Sequence, residues 1–412
     1  MKLPHEIELP DDVPRHDPPD PGIDVVRARR ETPGCAATLH LNNAGAALMP
    51  EAVVDAVIEH LRLEAALGGY EAAMRAEAVL NRAPDAAAAL VGAARGEIAL
   101  VESATRAWDH AFWALPLAAG DRILTGESEY ASNFLAFLQA EKRIGIRIHV
   151  VPSDESGQIS VAELENAIDD RTRLIAITHV PSTGGLVNPA AAIGRVANAA
   201  GIPYLLDACQ SVGQMPIDVG EIGCDMLSAT GRKYLRGPRG TGFLYVARAL
   251  AEKMEPIGID MNAADWVARD RYHLKPGAAR FQNFEGNIAG RAGLCKAIEY
   301  ARAWGLDHIQ ARIRHLAGRL REGLAAVPGA TVRDLGVEQC GIVTFTIDGA
   351  DSFEVADELR RQRIHIGVSL AGHARIDMDA RGLPQLLRAS VHYYNSDDEL
   401  DRFLRALDAI DR

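Results

Sequence analysis

The sequence predicts an α/β fold, with one large domain on a mostly parallel sheet followed by a smaller α+β domain. Three observations carry this. From about residue 50 to about residue 250, short apolar runs bounded by turn residues alternate with stretches of helical periodicity. Buried strands alternating with helices imply a parallel sheet covered on both faces. After about residue 287 the pattern changes to helices interspersed with ATVRDL, GIVTFTI and IHIGVSL, an α+β order. Finally, 412 residues exceed what a single core usually supports, so two lobes are expected.

The elements follow in order. The start, MKLPHEIELPDDVPRHDPPDPG, is acidic and proline-rich and lacks the apolar core of a signal peptide, so residues 1–37 read as an extended arm. PEAVVDAVIEHLRLEAAL places Pro50 at a helix start, with Val53, Val54, Val57, Ile58 and Leu61 at helical spacing. ATRAWDHAFWALPL is a second helix. The strand candidates are the run before ESAT, then DRILTG, IRIHVV, RLIAITHV, PYLLDA, DMLSAT and GFLYV; VAELENAI and AAAIGRVANAAG are helices between them. This large domain is assigned residues 38–280 and the small domain residues 281–412, where FEVADELRRQ and DDELDRFLRALDAI are helices.

Composition narrows the function. A net charge of -12 argues against nucleic acid as a partner, because phosphate binding needs a basic face. No apolar run is long enough to span a membrane. The five cysteines, Cys35, Cys209, Cys224, Cys295 and Cys340, are scattered without a C-x-x-C pair, which suits reduced thiols in a cytoplasm and no metal site.

Ligands of open α/β sheets collect at the carboxyl ends of the strands, so the chemistry is expected there. Three such ends stand out. LVESATRAWDHAF places Ser103 and Thr105 where a strand passes into a helix, offering an ordinary cap or an anion site. YLLDACQSVG puts Asp207 after a buried strand, with Gln210 three residues on. A carboxylate there is costly unless a cation or strong donor meets it. In SATGRKYLRGPRGTG, Lys233 sits among Arg232, Arg236 and Arg239, and like charges favour a neutral, nucleophilic amine. An anion site, a buried acid and a reactive amine together match pyridoxal 5'-phosphate. Its phosphate needs donors, its aldehyde a lysine and its ring nitrogen an acid.

The succession ESAT, EYASN, THVPSTGG-x-x-NP, DACQSVG and ATGRKYLRGPRGTG resembles the class V aminotransferase and cysteine desulfurase superfamily, from about residue 38 to the C-terminus. The resemblance implies a fold-type I enzyme with a seven-stranded sheet and pyridoxal phosphate. It implies that Lys233 attaches the cofactor and moves protons at the substrate's α-carbon, and that Asp207 holds the ring nitrogen protonated. Gln210, together with Ser182, should meet the ring's phenolic oxygen, and Tyr130 should lie on the ring. Ala104, Thr105, Thr230 and Arg232 should hold the phosphate. Arg388, in LLRASVHYYN, should bind the substrate carboxylate, with Asn43 and Ala44 lining the same end. A homodimer is implied, with the segment around Tyr70 and residues 280–287 reaching across.

Two departures matter. The loop GVSLAGHARIDMDARGLP has no cysteine where desulfurases carry their persulfide thiol, and Glu285 stands where they place a Thr that reaches the partner's phosphate. Further details are similar to the hercynylcysteine sulfoxide lyases of ergothioneine biosynthesis. These are GGYEAA, the Glu129–Tyr130 pair, Arg232–Lys233, and ARF-x-x-x-E-x-x-x-AGRAGL. The expected reaction is therefore C–S β-elimination from an L-cysteine conjugate or its sulfoxide. Transamination ranks second and epimerisation third, with Tyr130 or His179 as a second proton donor. Desulfuration lacks its loop cysteine. A non-catalytic module would have lost Lys233 or Asp207, and both are present.

Overall fold

The computed structural model describes residues 22–410. Its centre is a sheet of seven strands: β1 (Ile98–Val101), β2 (Arg122–Gly126), β3 (Arg147–Val151), β4 (Thr172–Thr178), β5 (Tyr204–Asp207), β6 (Met226–Thr230) and β7 (Gly242–Val246). Their order is β1-β7-β6-β5-β4-β2-β3. Only β7 runs antiparallel to its neighbours, so the mostly parallel sheet expected from the sequence is present. The central strands are buried along their whole length because helices cover both faces; all four residues of YLLD and all five of GFLYV are buried.

A second, antiparallel sheet follows, formed by β8 (Ala330–Val332), β9 (Ile342–Ile347), β10 (Gly367–Leu370) and β11 (Gln385–Ser390) in the order β8-β9-β11-β10. The helices Leu306–Ala326, Ser352–Arg361 and Asp397–Asp408 accompany it. The Ser352–Arg361 helix is started by Asp351, whose carboxylate accepts from the amides of Phe353 and Glu354. Helix Ile288–Trp304, expected to open the small domain, packs against helices Glu51–Leu67 and Glu77–Val91. Its small residues Ala289, Gly290, Ala292 and Gly293 are buried there. Among the described residues no helix is long and apolar enough to cross a membrane.

Two expectations need correction. Residues 1–21 of the predicted arm lie outside the described residues, but residues 22–37 are not extended. Val25–Arg30 is a helix capped by Asp24, and Pro33–Ala36 forms a 3-10 turn. The cap and the run VVRARR outweigh the proline-rich composition that precedes them. The connector before residue 280 is also more regular than its sequence suggests. Ala264–Ala268 and Arg271–Leu274 pair as an antiparallel hairpin, with Trp266 largely exposed.

The cation-rich turn after β6 is partly architectural. Arg236 adopts φ +60° and is buried. Its guanidinium donates to Leu48 O at 2.8 Å, to the Tyr393 hydroxyl at 2.6 Å and to Thr32, and it lies 4.4 Å from the Tyr394 ring centroid. This side chain ties the N-terminal segment and the C-terminal lobe to the lysine turn. Arg236→Ala strands those partners and is expected to lower folding stability by about 3 kcal/mol, measured by denaturant titration.

Candidate active site

Four strand ends converge on one cleft. Its walls include Tyr130, Thr178, Ser182, Asp207, Cys209, Gln210, Lys233 and His373. Lys233 lies three residues past the end of β6. It is buried, and its Nζ lies 3.3 Å from the Cys209 sulfur. The electrostatic argument from its arginine neighbours needs revision. Arg236 is spent on the tyrosine cluster, Arg239 is exposed, and Arg232 donates to the Thr230 hydroxyl at 3.1 Å. Burial and the Cys209 contact, rather than three neighbouring cations, describe the surroundings of the amine.

Asp207 ends β5 and is buried. Its Oδ1 accepts from the Cys209 amide at 2.9 Å and its Oδ2 from Asn133 Nδ2 at 2.9 Å. Gln210 gives its Nε2 to Ala44 O at 3.1 Å, while its buried Oε1 has no partner. Ala44 is fixed in turn by Ser390, whose hydroxyl accepts from its amide at 2.9 Å.

Between β1 and the helix α1 (Ala104–Trp113), Ser103 accepts from the Arg106 amide at 3.2 Å, so it is the helix cap. The start of α1 comes close to β6 because Gly242 pairs with Thr230 and has no side chain. A Cβ at Gly242 would stand 3.2 Å from Ala104 N and 2.5 Å from Ala229 O, so only glycine admits this approach. The start of α1 is thereby brought close to Thr230, whose hydroxyl accepts from Arg232.

Arg388 lies on β11. Its Nη2 donates to Asn42 Oδ1 at 3.3 Å, its buried Nε has no partner, and it makes no ion pair among the described residues. Burial pulls its pKa below the ordinary arginine value. A cation so placed is set for an anionic ligand.

Other predicted residues are placed differently. Asn43 donates to Ser390 O at 2.7 Å and His40 O at 3.3 Å and accepts from the Tyr394 hydroxyl, so its amide is used up within the protein. Asn42 is the residue that touches Arg388. The asparagines are adjacent, and only the backbone turn decides which faces inward. Tyr70 is exposed, with its ring 6.5 Å from that of Phe284, and Glu285 is exposed nearby. His179 is buried and pushed down to about 4 by desolvation, which leaves it neutral and a poor acid near pH 7.

The residues missed by sequence reasoning are Glu129, Asn133, Cys209 and His373. The first two surround the Asp207 carboxylate, and the signal was present in EYASN, where Asn133 lies one helical turn from Glu129. His373 stands in the cysteine-free loop, its Nδ1 accepting from the Leu370 amide at 3.2 Å.

The model of the family described as aminotransferase class-V matches residues 39–403. The chain belongs to the class-V aminotransferase family. A protein named probable cysteine desulfurase from Methanothermobacter thermautotrophicus is 30% identical over 388 residues, covering 93% of this chain and 97% of its own. A cysteine desulfurase from Pectobacterium atrosepticum is 29% identical over 384 residues, covering 90% and 93%. The apo structure of a cysteine desulfurase from Thermococcus onnurineus NA1 superposes with a TM-score of 0.87 at 26% identity, over 93% of this chain and 97% of that one.

This class-V chain is a pyridoxal-phosphate enzyme. Its cleft suits the group on its own chemistry. Among the described residues Asp207 is a buried carboxylate with no ion pair, Gln210 holds an unpartnered buried carbonyl oxygen able to accept from a ring hydroxyl, and Lys233 is the cleft's single lysine. The ring nitrogen, ring oxygen and aldehyde each have a matching residue.

Proposed function

We propose that this chain is a C–S β-lyase acting on an L-cysteine conjugate or its sulfoxide, releasing a sulfur product with pyruvate and ammonia. One observation carries the reading. The cleft's single thiol, Cys209, is fixed beside Lys233 at the end of β5, and the loop facing it offers His373 and Ala374 instead. Burial raises the Cys209 thiol, although Lys233 opposes that, so it is a poor thiolate as well as an immobile one. Persulfide transfer needs a mobile thiolate; β-elimination needs none.

When bound, pyridoxal phosphate supplies an electron sink for charge developing at the substrate's α-carbon. The chain's own residues do the rest. Arg388 holds the substrate carboxylate, with Asn42 steadying the guanidinium. Lys233 takes the α-proton. Asp207 keeps the ring nitrogen protonated, while Ala104, Thr105, Thr230 and Arg232 grip the phosphate at the start of α1. Tyr130 and Ser182 line the ring and its oxygen beside Gln210. A good leaving group on the β-carbon then departs, and the released enamine hydrolyses in water.

The relatives' names favour cysteine desulfuration as the second reading, and transamination is the third. The low pKa of His179 removes one of the two proton donors that epimerisation would use. We further propose a cytoplasmic homodimer in which exposed Tyr70, Phe284 and Glu285 face the partner's cleft.

The test is turnover of a cysteine S-conjugate panel without any keto acid. Sulfur product and pyruvate should form in equal amounts over many cycles. Turnover that requires an added keto acid overturns the lyase in favour of the aminotransferase. Arg388→Lys keeps the charge but loses the planar fork, and it should raise KM roughly 10- to 100-fold with a smaller change in kcat. Steady-state kinetics on the best conjugate check this.

A further inference from the structure

Behind Asp207 lies a second carboxylate that the chemistry above does not use. Glu129 is buried in the turn between β2 and the helix α2 (Ala131–Ile144). Its Oε1 accepts from Asn133 Nδ2 at 2.7 Å, from the Tyr130 amide at 3.1 Å and from the Thr178 hydroxyl at 2.5 Å. Its Oε2 accepts from the Thr125 hydroxyl at 3.1 Å and the Thr178 amide at 3.0 Å. Five donors hold it to the ends of β2 and β4 and to the first turn of α2. The Asn133 amide nitrogen has two protons. One goes to Glu129, and the other meets Asp207 Oδ2 at 2.9 Å.

We infer that Glu129 is a positioning residue which, through Asn133, aims the Asp207 carboxylate at the cofactor's ring nitrogen and supplies a second negative charge that favours its protonation. Two buried carboxylates bridged by one amide repel each other, and neither makes an ion pair among the described residues. Such an arrangement is costly unless a cation is placed beside it. A protonated ring nitrogen on the open side of Asp207 is that cation. Consistent with this, burial and then the Asp207 charge lift the Glu129 carboxyl to about 7 against the hydrogen bonds from Thr178, Asn133 and Tyr130. A cation that favours ionised Glu129 is favoured by it to the same extent, because the coupling is reciprocal. The inference rests on the assignment of Asp207 to the ring nitrogen and holds whichever of the reactions above the cleft performs.

The experiment compares apoprotein binding of pyridoxal phosphate with that of its 1-deaza analogue, in which carbon replaces the ring nitrogen. The analogue presents the same phosphate and aldehyde but has no nitrogen to protonate. Glu129→Gln keeps the shape of the side chain and removes its charge. It should weaken pyridoxal phosphate binding roughly tenfold, the equivalent of one pKa unit, while analogue binding changes less than about twofold. Equal weakening of both ligands makes Glu129 a packing residue and overturns the inference, as does no change in either or loss of the analogue alone. Should Glu129→Gln not fold, Asn133→Ser cuts the same link and is read by the same comparison. Asp207→Asn is the control. If it too fails to distinguish the two ligands, the assignment of Asp207 has failed rather than the role of Glu129.

Discussion

Lys233→Ala should lower turnover roughly 10⁴-fold and abolish borohydride fixation of the cofactor to the chain. The size of the effect follows from the loss of two functions at once. Lys233 is the single lysine on the cleft walls, so no second amine there can take the aldehyde. Among the described residues it is also the base best placed for the α-carbon, because His179 is buried and not on the cleft walls and His373 is exposed. Peptide mapping after reduction should find the label on the Lys233 peptide in the parent chain and none in the variant. Label on another lysine of the parent would refute the assignment.

Asp207→Asn comes second, with an expected loss of roughly 10²- to 10³-fold in kcat and a stable, still yellow protein. The substitution preserves the size of the side chain but leaves one of its two donors, the Cys209 amide or the Asn133 amide, facing an NH2 group. It removes the charge that keeps the ring nitrogen protonated, so the electron sink weakens without loss of the phosphate grip or of Lys233. The folded state should tolerate it, since Asp207 is a buried carboxylate without an ion pair among the described residues, and relief of its repulsion with Glu129 offsets the one lost hydrogen bond. Thermal unfolding of the apoprotein separates this from misfolding: the variant should unfold cooperatively at a temperature close to the parent's. A colourless variant would show that Asp207 holds the cofactor in place rather than tuning it.

The strand ends were legible because apolar runs and turn residues are local signals. DACQSVG and ATGRKYLRGPRGTG could be placed on a parallel sheet before any coordinates. What the sequence concealed was direction. Asn42 and Asn43 differ only in which way a turn faces them, and Arg236 looked like a partner of Lys233 until its φ of +60° sent it towards Tyr393. The hairpin at Ala264–Leu274 escaped notice because its polar and exposed residues follow no period that a buried sheet would impose. Glu129 read as half of a motif pair with Tyr130. Its link to Asp207 spans 78 residues of chain and exists only once β2, β4 and β5 lie side by side.

The most direct test of the central claim, elimination without a carrier thiol, is the carbon skeleton of the product. An L-cysteine conjugate is incubated in deuterated water, and the three-carbon product is identified by NMR. Elimination predicts pyruvate, with deuterium entering its methyl group, and one equivalent each of ammonia and sulfur product. Alanine, with its amino group retained and the conjugate's sulfur and its substituent left on the protein as a mixed disulfide, would contradict it.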